Sequence, residues 1–182
     1  KSSLILAGPA GESAPWFIYL NQAFDRKAEL KQYTHFKTCT FSDFTTSTDY
    51  ACAIFVNAQN MNLLIERTTF RKLRSLTRIN YAAGAVYVRA CNDTKIVSSC
   101  FEDTRDLYGA QSFGIDSYSF NLVSSEINST YYSEGNEPHV CGSQNSPFFA
   151  GGRQHFVFLE NNITSHKECE VFRFLCFTNV RA

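Results

Sequence analysis

The stretch "AAGAVYVRACNDTKIVSSCFEDTRDLYGAQ", residues 82–111, contains the pattern from which the fold is predicted. Two runs of β-forming residues, Ala85–Val88 and Lys95–Val97, flank a polar turn. The segment Ser99–Phe101 then places one aromatic residue after two small ones. In the first run the aliphatic side chains alternate, which is the period of two expected of a strand. The stretch therefore predicts a strand, a turn, a second strand and a tight corner before Phe101.

The same pattern recurs along the chain, once around each of five large apolar anchors. The anchors are separated by 29, 31, 26 and 36 residues, and they are Phe41, Phe70, Phe101, Ile127 and Ile163. A second apolar residue stands five positions before each anchor, at Phe36, Ile65, Ile96, Leu122 and Phe158. A small or turn-forming residue stands two positions before each anchor, at Cys39, Thr68, Ser99, Ser125 and Asn161. We predict that the five anchors stack on one another as a structural ladder.

Another set of short strands precedes the anchors, over residues 17–20, 52–56, 84–88 and 112–116. The best helix candidate, Phe70–Arg78, lacks a cap and a sustained apolar stripe, so no helix is expected. A single unit cannot bury its inward residues alone, so neighbouring units must stack. This organisation predicts an all-β fold, a short right-handed single-stranded parallel β-helix of about five coils. A β-sandwich is the alternative, because it also uses many short strands.

Two of these units resemble the repeats of right-handed parallel β-helices of the pectin-lyase-like class. They are "GAVYVRACNDTKIVSSCFED" (84–103) and "CAIFVNAQNMNLLIERTTFRKL" (52–73), and they are similar in particular to the repeats of polymorphic outer-membrane-type surface proteins. The resemblance covers roughly residues 16–170. Gly84 matches the glycine that precedes the aliphatic strand in those repeats, whereas Cys52 stands at that place in the preceding unit. The resemblance implies a stacked scaffold whose loops project from its sides.

The chain of 182 residues is predicted to form a single β-helix domain over 1–182, either complete or a portion of a longer chain. Residues 1–15 lead into the first unit, and residues 131–147 form a loop insertion rich in Gly, Ser, Asn and Pro. Lys and Arg number 17, as do Asp and Glu, so the formal net charge is zero. A neutral chain offers no basic field to nucleic acid, so no such partner is expected. No stretch approaches the length of a membrane span, so no transmembrane segment is expected.

Seven cysteines are present, an odd number, and none lies in a CxxC motif. No metal site and no cofactor are therefore expected. The cysteines are interpreted mainly as small buried hydrophobes, with Cys39 and Cys100 at corner positions. Disulfides such as Cys91–Cys100 or Cys169–Cys176 are the alternative, and spacing does not fix their connectivity. Both an extracellular or cell-surface location and an intracellular assembly, cytoskeletal or other, fit this composition.

The pectin-lyase-like resemblance raises a carbohydrate-active enzyme, a polysaccharide lyase or glycoside hydrolase, as the alternative function. The hydrolases of that class carry Asp-Asp and His-Gly motifs, which this chain lacks. Glycoside hydrolysis needs two carboxylates on a shared face, about 5–10 Å apart, and adjacent coils could bring Asp93 near Glu66. Both lie among polar turn residues, so solvated loops are preferred. His139 near Cys141 is a weaker nucleophile candidate without an evident orienting partner. No catalytic residue is predicted.

The most basic segment is "RTTFRKLRSLTR", residues 67–78, which contains no acidic residue and carries Arg67, Arg71, Lys72, Arg74 and Arg78. It is interpreted either as a docking patch for an acidic partner or as a solvated loop between coils. The insertion begins with Tyr131 and Tyr132, and insertions on a repeat scaffold often carry the binding function. We therefore predict a non-enzymatic structural or interaction module that docks a protein partner, as a surface protein or within a larger assembly. A glycan is the alternative partner.

Overall fold

The computed structural model describes most of the repeated region and short parts of both ends. The described residues are 4–7, 17–20, 32–47, 50–58, 61–77, 82–106, 110–129, 148–165, 173–175 and 179–181. Within these ranges the regular structure consists of strands, with no helix. The chain is therefore all-β in the part that the structure describes.

Sixteen strands follow one another in the described residues. They are β1 (Leu4–Ala7), β2 (Phe17–Leu20), β3 (Gln32–Lys37), β4 (Cys39–Thr46), β5 (Ile54–Asn57), β6 (Met61–Glu66), β7 (Thr69–Ser75), β8 (Val86–Val97), β9 (Cys100–Glu102), β10 (Arg105–Asp106), β11 (Phe113–Val123), β12 (Glu126–Ser129), β13 (Phe148–Leu159), β14 (Asn162–Ser165), β15 (Arg173–Leu175) and β16 (Asn179–Arg181).

The strands form two sheets in which every described pairing is parallel. The first sheet has the order β1-β4-β7-β9-β12-β14, with β10 also paired to β7. The second sheet has the order β2-β5-β8-β11-β13-β15, and β3, β6 and β16 join it beside this path. A β-sandwich is built from antiparallel sheets, so that alternative is wrong for the described residues.

Strands from successive sequence units lie side by side with their repeated positions in register. We number these units 1 to 5; in order, their anchors are Phe41, Phe70, Phe101, Ile127 and Ile163. Each anchor pairs with the anchor of the next unit. The Phe41 and Phe70 rings are stacked at 5.2 Å between centroids, and the Phe70 and Phe101 rings at 4.7 Å. The residues five positions earlier form a second column in register. Both columns contribute to one hydrophobic core.

The corner between the two sheets uses backbone conformations that are uncommon outside glycine. At this corner, one residue of each unit has a φ between 47° and 56°, in the left-handed region, and these residues are Thr38, Arg67, Ser98, Ser124 and Glu160. Each of the first four donates its backbone N–H to a carbonyl oxygen of the next unit, at 2.9–3.0 Å. The corner is therefore held by hydrogen bonds along the stack rather than by glycine.

Small polar residues follow this corner and form a buried ladder. The backbone N–H of Thr68 donates to Ser99 Oγ at 3.2 Å, and that of Ser99 donates to Ser125 Oγ at 3.3 Å. The N–H of Ser125 donates in turn to Asn161 Oδ1 at 2.9 Å. Buried polar groups need such partners. This explains why small or turn-forming residues recur two positions before each anchor.

Two polar segments lie within long strands. The prediction of a turn between Ala85–Val88 and Lys95–Val97 is wrong, because β8 runs without interruption from Val86 to Val97. The polar segment 116–119 also lies inside a strand, β11, where the register shifts. Asn92 is exposed and Asp93 half-buried, so these two polar residues lie on the solvent side of a paired strand, whereas Thr94 is buried.

The polar segment Asp103–Asp106, which follows the anchor Phe101, is partly buried. Thr104 is fully buried, and its hydroxyl lies 2.9 Å from the Ser112 hydroxyl. Asp106 is 5% exposed, and its carbonyl oxygen accepts a hydrogen bond from Gln111 Nε2 at 3.1 Å. β10 pairs in register with the end of β7, where Asp106 lies beside the buried Ser75. Asp106 therefore has the same inward position in unit 3 that Ser75 has in unit 2.

Candidate interaction surface

The basic segment predicted from the sequence is a strand, not a loop between coils. In β7 the side chains of Phe70 and Leu73 are fully buried. Lys72 has a φ of 52°, so the alternation of the strand is interrupted and Arg71 and Lys72 are exposed at successive positions. Arg74 is exposed one residue after Leu73. Two buried apolar residues thus position three cations on the outer face of the first sheet.

Carboxylates of neighbouring units lie beside two of these cations. Arg71 Nε is 3.4 Å from Glu102 Oε2, and Lys72 Nζ is 4.0 Å from Asp43 Oδ1. Within the described residues Arg74 has no ion pair, although Arg105 stands next to it in register. Exposed pairs of this kind contribute little to stability, roughly 0–1 kcal/mol. The cations therefore remain available to a partner.

Arg67 belongs to a different part of the surface. It lies at the corner, where its Nε is 3.7 Å from Glu66 Oε1. The same glutamate lies 3.5 Å from Lys37 Nζ and 3.1 Å from His35 Nε2. The structure therefore separates Arg67 from Arg71, Lys72 and Arg74. Arg78, Tyr131, Tyr132 and the insertion 131–147 lie outside the described residues.

The carboxylate pair considered from the sequence is not formed. Asp93 pairs in register with Asn62, whereas Glu66 pairs with Val97, four residues further along β8. At about 3.3 Å per residue the two carboxylates are roughly 13 Å apart along the strand, too far for the separation that glycoside hydrolysis requires. Both residues lie on strands rather than in the polar turns that were expected.

Sequence reasoning missed another pair of carboxylates, Glu102 and Glu126, on the outer face of the first sheet. Glu126 pairs with Cys100, and Glu102 follows Cys100 two residues later on the same strand face. The spacing between strands and between residues puts their Cβ atoms about 8 Å apart. Glu102 directly follows the anchor Phe101, and Glu126 directly precedes the anchor Ile127. This placement beside successive anchors is the sequence signal from which the pair could have been predicted.

The cysteines within the described residues are reduced and mostly buried. Cys39, Cys91 and Cys100 form no disulfide, so the Cys91–Cys100 pairing is not formed. Burial raises the pKa of the Cys91 thiol from 9.0 to about 12, opposed in part by a hydrogen bond with Thr94. Burial, and then the charges of Glu126 and Glu102, raise the pKa of Cys100. Cys100 lies on the sheet face rather than at a corner, because it stands one residue before its anchor. The Cys169–Cys176 alternative lies outside the described residues.

No group of three or more His, Cys, Asp or Glu side chains in the described ranges could hold a metal ion. The nucleophile candidates His139 and Cys141 fall outside those ranges. Across the same part of the chain, no helix has the length and apolarity to cross a membrane. Comparison with protein-family models, curated proteins and solved structures finds no match for this chain. The function is therefore inferred from the surface geometry.

Proposed function

We propose that the chain is a short right-handed single-stranded parallel β-helix of about five coils, similar to those of the pectin-lyase-like class. Three observations support this: successive units contribute strands to both sheets, every pairing among the described strands is parallel, and repeated positions are in register. Parallel crossovers within one sheet are almost always right-handed. In such a stack each unit contacts mainly its neighbours, so the side faces stay available to partners.

We infer that this scaffold is a non-enzymatic interaction module that docks an acidic protein partner on the outer face of the first sheet. It would act either at a cell surface or as a component of a larger assembly. The observation that carries the proposal is the exposure of Arg71, Lys72 and Arg74 from one strand. That strand is fixed by its buried Phe70 and Leu73, so the cations are held on a rigid platform. Electrostatic complementarity then sets partner choice and the rate of association.

The proposal is tested with polyglutamate as a defined acidic probe, at low salt, by biolayer interferometry. We expect the chain to bind the probe, and Arg71→Glu/Lys72→Glu/Arg74→Glu to weaken binding at least about tenfold. The matched control is Lys37→Glu/Arg89→Glu/Lys95→Glu, which makes the same change of net charge on the second sheet. Equal loss in both variants, or no binding by the unmodified chain, would contradict docking on the first sheet.

A polysaccharide hydrolase is the second candidate, and the Glu102 and Glu126 pair favours it. Their Cβ atoms are about 8 Å apart, a spacing from which the two flexible side chains can place their carboxyl groups at the separation used in hydrolysis with inversion of configuration. The test measures reducing ends released from a panel of plant and bacterial polysaccharides. If the candidate is right, Glu102→Gln and Glu126→Gln each abolish release. Activity that survives both substitutions, or no release by the unmodified chain, would count against it.

A further inference from the structure

The outer face of the first sheet carries opposite charges at equivalent positions of neighbouring units. Arg71 of unit 2 pairs in register with Glu102 of unit 3. The next position holds Lys72 in unit 2 and Asp103 in unit 3, and both have a φ near 50°. Side-chain exposure is 52% for Arg71 and 47% for Glu102. Arg71 and Lys72 on β7 thus lie beside Glu102 on β9 and Asp103, which directly follows β9.

This pattern is complementary to itself. A two-fold axis that runs parallel to the strands, between β7 and β9, exchanges the two strands but keeps each position along them. Two sheets related by such an axis face each other with opposite stacking directions. Arg71 of one copy then faces the partner's Glu102, and Lys72 faces the partner's Asp103. An interface of this isologous kind repeats every favourable contact twice.

The side chains around these charges permit close approach. Thr40, Ser42 and Thr69 are small, and they lie on the outward side of β4 and β7. Cys100 and Asn128 continue the same face into the next strands. No long apolar side chain among these described residues separates the charged groups of two facing sheets.

We propose that the partner docked on this face is a second copy of the chain, in a face-to-face dimer with opposite stacking directions that is held by the two Arg71–Glu102 contacts. The proposal rests on the proposed function of this face as a docking surface and names its partner. Six strands about 4.8 Å apart span roughly 24 Å, which makes the contact small. Interfaces of that size belong to the weak, transient class.

Ion pairs already form within one copy: Asp103 Oδ1 lies 2.7 Å from Arg105 Nη2, and Arg71 Nε lies 3.4 Å from Glu102 Oε2. A guanidinium has five N–H donors, so Arg71 can contact Glu102 of its own chain and the partner's Glu102 together. Contact between two sheets also removes water from these charges, and the attraction between them becomes stronger in the lower dielectric. The dimer is therefore expected to be sensitive to ionic strength.

The test is sedimentation velocity of the whole chain over a range of concentrations at low salt. We expect reversible dimerisation, which is weakened at least about tenfold by Arg71→Glu and by Glu102→Arg. Arg71→Glu leaves the site acidic and Glu102→Arg leaves it basic, so each variant repels its own copy. An equimolar mixture of the two should dimerise again, since each then faces the opposite charge. Restoration by mixing separates an intermolecular contact from a loss of the pair within one chain.

Lys95→Glu on the second sheet is the control, and it should leave dimerisation unchanged. A chain that stays monomeric at all concentrations, or a mixture that does not dimerise, overturns the proposal. If the chain stays monomeric but still binds polyglutamate, the docking function stands and only the second copy is rejected as its partner. If the chain neither dimerises nor binds polyglutamate, the docking face itself is rejected.

Discussion

Phe70 shows how one residue supports the stack. Its side chain is fully buried, and its ring lies between those of Phe41 and Phe101, with interplanar angles of 3° and 10°. Stacked rings contribute about 0.5–1.5 kcal/mol per pair beyond the burial of apolar area. The ring therefore links units 1, 2 and 3 through direct contacts.

We expect Phe70→Ala to lower the free energy of unfolding by about 3–5 kcal/mol, because it opens a cavity and removes two ring contacts. Chemical denaturation of both proteins measures the change. Phe55→Ala is the matched control, since Phe55 is only partly buried and packs outside the main core. A loss at Phe70 no larger than that at Phe55 would show that the anchor column does not bear the stability assigned to it.

The thiol of Cys91 makes stability depend on pH in the alkaline range. Its pKa is about 12 in the folded chain and 9.0 as its ordinary value, so the unfolded chain loses this proton first. The contribution to stability is therefore complete below about pH 9 and is lost as the pH rises towards 12. The expected slope is about 1.4 kcal/mol per pH unit.

Cys91→Ser removes this titration, and the comparison isolates it from other groups that ionise at high pH. The difference in unfolding free energy between the unmodified chain and the variant should shrink as the pH rises above about 9. Urea denaturation at a series of pH values gives that difference. A difference that stays constant from pH 8 to pH 11 would refute the buried, protonated state of Cys91.

At the scale of elements, the corner between the sheets depends on residues that tolerate the left-handed region. Ser98 has a φ of 49° and donates its N–H to the carbonyl oxygen of Val123 at 2.9 Å. The side chain of Ser98 is exposed, so its size has little influence on packing. The backbone conformation is therefore the property that selects residues at this corner.

Ser98→Val should destabilise the chain by about 1–2 kcal/mol, because a β-branched residue resists the left-handed region. Thermal and chemical unfolding both report the change. Thr69→Val is the control, since Thr69 lies within β7, where β-branched residues are favoured. If the two substitutions had the same effect, the corner would not require its unusual backbone conformation.

At the scale of the whole molecule, stacking converts sequence order into position along one axis. The segment 67–78 carries five basic residues and no acid, whereas 110–129 carries Asp116 and Glu126 and no Lys or Arg. The register assigns the first segment to unit 2 and the second to unit 4. A chain without net charge can therefore present a basic region and an acidic region two strand spacings apart.

Much of the strand arrangement could be predicted from the spacing of apolar residues alone. The anchors and their companions five residues earlier were read from the sequence, and the structure pairs them in register. The strand segment Phe148–Ala150, which pairs with Phe113–Ile115, was not predicted, because the insertion 131–147 displaces it from the regular spacing. Polar residues such as Asn92 were assigned to turns because their types favour turns, although pairing with two neighbouring strands keeps that segment extended.

The repeat, the buried columns and the small residues at the corner follow from the order of residues, because parallel stacking places equivalent positions over one another. Which charged side chains meet is set by the fold and not by that order. Arg71 lies beside Glu102, whereas Asp93 lies beside Asn62 rather than Glu66. These neighbours come from units about thirty residues apart, and a shift of register by a few residues would exchange them. Local propensity contains no information on that register, so the surface chemistry depends on the paired strands.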